Sequence, residues 1–95
     1  MRHLDPVNEI NTMSNAIKLN WKTQRNEAEV MHSSEYLGCR IEVRNYPESK
    51  VGAIDGIVFN RFGEVWSRVT WDNPVARVRD AKALCIDWIT DRLSR

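Results

Sequence analysis

Between Tyr36 and Trp71 the chain carries three apolar, β-branched or aromatic runs, separated by two turn-rich gaps, Asn45–Lys50 and Asn60–Gly63. Runs of strand length bounded by Pro, Gly, Asn and Ser predict an antiparallel meander. In Leu37–Arg44, the positions Cys39, Ile41 and Val43 alternate with Arg40, Glu42 and Arg44, so one face is apolar and the other charged. Tyr46–Lys50 (YPESK) breaks the strand. Gly52–Phe59 is mostly apolar, and Gly52 and Gly56 permit a bulge or a close backbone approach. Asn60-Arg61-Phe62-Gly63 is a hairpin signal, since Gly63 tolerates positive φ. Val65–Trp71 then sets Val65, Ser67, Val69 and Trp71 on one face, with Trp66, Arg68 and Thr70 on the other.

A sheet with one apolar face needs a cover. Val75, Val78, Ala81, Leu84, Cys85, Trp88, Ile89 and Leu93 recur at three- and four-residue spacing, which predicts an amphipathic helix with Leu84 and Trp88 anchoring the core. Asn73 can cap it, with Pro74 as its first residue. Alternatively Val75–Arg79 is a last short strand and the helix starts at Asp80. Upstream, Ala16–Thr23 alternates Ile17, Leu19 and Trp21 with Lys18, Asn20 and Lys22, the pattern of a half-buried edge strand. Gln24–Glu35 is a polar connection with one helical turn around Glu27–Met31. The expected fold is therefore α+β: a three- to four-stranded antiparallel sheet with a C-terminal helix packed on one face.

Ninety-five residues make one domain, here residues 16–95, preceded by a polar segment over residues 1–15 of the kind that stays loose unless docked. Leu4, Val7 and Ile10 would allow that segment one short docked turn, and translation can begin at Met1 or Met13. Hydrophobic residues at 42% and charged residues at 28% are ordinary globular usage, which argues against wholesale disorder. A formal net charge of +1 counts against strong non-specific nucleic-acid binding. No apolar run reaches the length of a membrane span, and no signal-peptide core is present. Cys39 and Cys85 belong to no C-x-x-C pair and read as reduced, core-packed thiols. A cytoplasmic protein without contact to a membrane is the expectation.

Tyr36-Leu37-Gly38-Cys39-Arg40-Ile41, followed by Gly63, Trp66 and then Asp80-Ala81-Lys82 and Ile86-Asp87-Trp88, resembles a loose class of short bacterial and prophage-type domains. Those domains read Y-x-G-x-x-I, a β-meander and a terminal helix with A-K-x-x-x-I-D. The resemblance covers about residues 36–93, implies a sheet-plus-helix fold, and implies no activity. Gly52, Asp55-Gly56-Ile57-Val58 and Val69-Thr70-Trp71-Asp72-Asn73 resemble the central strands of SH3-like small β-barrels. That resemblance implies a helical turn at Asp80–Leu84 and a closing strand at Cys85–Ile89.

Catalytic signatures are missing from the sequence. His32 with Ser33 and Ser34 lies in a polar connection without a nucleophile elbow, which favours a solvated loop. His3, His32, Cys39 and Cys85 have no zinc-ligand spacing, and the glycines form no phosphate loop. Asp72, Asp80, Asp87 and Asp91 read as solvated positions rather than an acid–base pair. Neither a cofactor nor a metal is expected. The constellation that invites a function is the sheet face away from the helix, with Arg40, Arg44, Trp66, Arg68 and Thr70. Arg and Trp are enriched at protein hot spots, so the expected role is a non-enzymatic module that contacts a protein partner or a copy of itself. The alternative is a nucleic-acid binder using the same arginines and Trp66 for phosphate contact and stacking; a small enzyme comes third.

Overall fold

The computed structural model describes residues 18–46 and 54–94. The fold is α+β: an open antiparallel sheet, in sequential strand order, with a C-terminal helix across one face. Its strands are β1 (Lys22–Arg25), β2 (Val30–Tyr36), β3 (Cys39–Asn45), β4 (Ile54–Phe59) and β5 (Val65–Arg68). A short helical turn, α1 (Val69–Asp72), leads to the long helix α2 (Val78–Leu93). The N-terminal segment over residues 1–15, Ala16, Ile17 and Gly52 lie outside the described residues.

Five strands replace the expected three or four. The extra one is β2, whose sequence VMHSSEY lacks the apolar alternation of its neighbours. Local hydrogen bonds and neighbouring strands form it instead. Asn26 Oδ1 accepts the N–H groups of Ala28 at 2.7 Å and Glu29 at 2.9 Å, which turns the chain where a helical turn was expected. Ser34 Oγ donates to the Asn20 carbonyl at 2.8 Å, while Thr23 Oγ1 and His32 Nδ1 lie 2.9 Å apart. The residues expected to form a solvated loop are thus a strand in the sheet interior. Edge strand β1 begins at Lys22, later than the alternation predicts, and all four of its residues are exposed.

In register, Ile41 faces Val58 and Ser34, and Val43 faces Gly56 and His32. The core lies on this side, where Cys39, Ile41, Val43 and Val58 meet Val69, Ala81, Cys85, Ile86 and Ile89. The buried stripe of α2 is therefore turned from the one expected: Ile86 is in the core, whereas Leu84 and Trp88 are half-buried at its flanks. Cys85–Ile89 lies inside α2 and the sheet stays open, which removes the barrel alternative. The helix starts at Val78 after Arg77, without a side-chain cap, so neither Pro74 nor Asp80 opens it. Val75–Arg79 forms no strand either.

The expected strand Val65–Trp71 ends at Arg68 because Thr70 bonds back to the sheet. Its Oγ1 accepts the Gly56 N–H at 3.0 Å and donates to Asp55 Oδ1 at 3.3 Å. That bond carries Val69 and Thr70 inward and throws Trp71 out to 72% exposure. Gly56 is the close approach. A Cβ there would lie 3.1 Å from Cys85 Sγ and 3.2 Å from Thr70 Cγ2. Gly56→Ala is expected to cost about 1–3 kcal/mol through overpacking, read from urea denaturation midpoints. An unchanged midpoint would mean that α1 and α2 can move off the sheet freely.

Candidate functional site

The structure separates the five residues that the sequence places on one face. Arg40, Arg44 and Arg68 do share the side away from α2, each fixed by strand register. Each also has a carboxylate. Arg40 Nε meets Glu42 Oε2 at 3.0 Å, Arg44 Nη2 meets Glu42 Oε1 at 2.8 Å, and Arg44 Nη1 approaches Glu29 Oε1 at 3.4 Å. Arg68 Nη1 meets Asp55 Oδ2 at 3.2 Å, and its guanidinium lies over the Trp71 ring at 5.2 Å from the centroid. This face is laced with paired charges rather than uniformly basic.

Burial alone would push the Glu42 carboxyl up, but hydrogen bonds from Arg44 and Arg40 outweigh it and hold the group below its usual range. The hydrogen bond with Glu42 raises Arg44 in turn. On the helix side, His32 is lowered by burial, with Lys82 and Arg25 adding repulsion. Both shifts destabilise the fold in acid. His32 binds its proton more readily in the unfolded chain, so stability begins to fall as pH drops below 6.5. The Glu42 contribution is complete above 4.5 and disappears as pH falls through the lowered folded value. Urea titrations across both windows should show a two-stage loss; His32→Gln should remove the upper stage and Glu42→Gln the lower.

Trp66 and Thr70 are elsewhere. A register irregularity at Val58/Phe59 turns Trp66 to the helix side, where its ring meets Trp88 edge-on with centroids 5.0 Å apart. Thr70 is buried in α1, as described above, and cannot reach a partner from the sheet face. Alternation could not find either displacement, because both arise where the period of two breaks.

Around Trp66 the structure assembles an apolar cleft of about 420 Å³, bounded by Leu37, Phe62 and Leu93. The hairpin tips and the end of α2 build it together. Leu37 and Gly38 form the two-residue β2–β3 turn with φ of 53° and 82°. Asn60 rigidifies the β4–β5 loop by accepting, through Oδ1, the N–H groups of Phe62 at 2.9 Å and Glu64 at 3.0 Å. Leu37 is 59% exposed, Phe62 75%, Trp66 36% and Leu93 48%, so large apolar side chains ring an open cleft. Arg61 lies over Phe62, and Arg92 over Trp88. Neither cation has a salt-bridge partner among the described residues. The signal was present in the sequence as Leu37 and Phe62 at turn positions that ordinarily take polar residues.

Cys39 also lines the cleft but is nearly buried, and burial pushes its thiol up; Cys85, in the core, is pushed up to about 12. Both thiols are free, and neither is placed as an activated nucleophile. Among the described residues no group of three or more His, Cys, Asp or Glu could hold a metal ion, and no helix is long and apolar enough to cross a membrane. In comparisons with known proteins, no family model, curated protein or solved structure matches this chain.

Proposed function

We propose that the chain is a non-enzymatic protein-binding module whose contact surface is the Leu37–Phe62–Trp66–Leu93 cleft. The observation that carries this reading is Leu37. A leucine at positive φ costs about 1–2 kcal/mol in backbone strain, and here it buries little in exchange. Asn or Gly would satisfy the turn more cheaply. An exposed leucine in that conformation supports a use outside the fold. Phe62 sits the same way, held out by a loop that is already ordered, so a ligand need not pay its ordering entropy.

The rim supports a particular partner chemistry. Arg61 and Arg92 flank the aromatic groups and form no salt bridge among the described residues, which suits an apolar peptide segment bordered by Asp or Glu. A two-fold contact between copies of the chain would set these like-charged rims against each other and is less favourable. The arginine face is the weaker candidate for either protein or nucleic acid, because Glu29, Glu42 and Asp55 already match its cations.

The test is fluorescence anisotropy with labelled short peptides carrying Leu and Phe, flanked by carboxylates or, as controls, by lysines. The acidic-flanked set should bind saturably and the lysine-flanked set should not. Light scattering over a concentration series checks self-association. A dimer abolished by Phe62→Asp would replace the peptide partner with a second copy. No binding by either peptide set, with a monomer at all concentrations, would overturn the reading.

A further inference from the structure

Another concavity, of about 450 Å³, lies at the corner where the chain enters β1, lined by Lys18, Asn20, Lys22, Ser33, Glu35 and Arg40. We propose that it binds one phosphate-type oxyanion, either free phosphate or the headgroup of a phosphate monoester. Three cations and one carboxylate converge there. Lys18 and Lys22 form no salt bridge among the described residues, and Arg40 gives only its Nε to Glu42, with its side chain 47% exposed. Its terminal N–H groups make no hydrogen bond among the described residues.

Neutral donors complete the site. Ser33 is 8% exposed and fixed in register between Lys22 and Glu42, yet its hydroxyl makes no hydrogen bond among the described residues. The Ser34 bond to the Asn20 carbonyl ties down the segment that carries Asn20 and its neighbours. Ammonium, guanidinium and hydroxyl donors approaching from different strands suit a tetrahedral anion with several acceptor oxygens. A nucleic-acid strand would need a track of such sites. The next described cations on this side, Arg44 and Arg68, are matched by Glu29, Glu42 and Asp55, so among the described residues the unmatched charge of this face stays in one place.

Glu35 supplies a test of sign. It is exposed on the rim and would repel the anion, so its neutralisation should strengthen binding. The experiment is an NMR titration of the full chain with inorganic phosphate and with glycerol phosphate, at ionic strength held constant with chloride. Saturable amide shifts are expected at Asn20, Lys22, Ser33 and Glu35. Lys18→Ala and Lys22→Ala, both at exposed positions, should each weaken binding by about tenfold, while Glu35→Gln tightens it and Arg61→Ala leaves it unchanged. Tighter binding of glycerol phosphate than of phosphate identifies a phosphorylated molecule as the source; equal binding identifies the free ion. Shifts that do not saturate, that chloride reproduces, or that weaken in Glu35→Gln would overturn the site. So would a single-stranded oligonucleotide that binds more tightly, with a salt slope of several phosphate contacts.

Discussion

Ile89→Ala is expected to destabilise the domain by about 2–5 kcal/mol, and Leu84→Ala by clearly less. Ile89 is fully buried, one helical turn beyond Cys85 and among the largest side chains with no exposure. It meets Ile41, Val43 and Val58 in a core whose sheet side comes mainly from β3 and β4. A small domain has roughly 5–15 kcal/mol in all, so this one truncation removes a large share of it. Leu84 packs only on the flank, where a smaller side chain leaves no enclosed void. Urea denaturation of both variants, with unchanged m-values, measures the difference. If Leu84→Ala equals or exceeds Ile89→Ala, the helix faces the sheet through the stripe that spacing alone suggests.

Those two residues show how far a pattern reaches. Apolar spacing places a C-terminal helix correctly but draws its face too broadly: Leu84 and Trp88 pack at the margin of the core, Leu93 is exposed, and Val75 precedes the helix. The deciding information is tertiary: Gly56 opens a groove into which Cys85 and Thr70 settle, and that contact fixes the rotation of α2. β3 and β4 were legible because burial on one face imposes alternation. β2 was not, since its helix-side positions include His32 and Ser34, which are satisfied by hydrogen bonds rather than apolar contact. The five residues expected on one face part company for a related reason. The arginines lie in regular strand and keep their predicted side, whereas Trp66 follows a register irregularity and Thr70 follows the turn into α1. Side-chain pairing with Glu29 and Asp55 depends on residues far apart in sequence, so the neutralisation of that face could not be read from the arginines themselves.

Leu37→Asn should stabilise the isolated domain and weaken its capture of acidic-flanked apolar peptides. Asn is better tolerated at positive φ, so relief of the Leu37 strain should raise stability by up to about 1 kcal/mol, seen as a higher denaturation midpoint. The same change takes an apolar wall from the cleft, and binding should fall by about tenfold. Trp66→Ala should have the larger effect on binding, at about 2 kcal/mol or more, as expected of a desolvated aromatic anchor. It also removes the Trp88 contact and so lowers stability. Opposite signs on stability with the same sign on binding separate a lost contact from a damaged fold. Arg44→Ala is the complementary control, because it should lower stability by releasing Glu42 and leave peptide affinity intact. Should Leu37→Asn raise stability and leave binding unchanged, the exposed leucine would have no part in recognition, and the cleft would lose the residue that argues most directly for it.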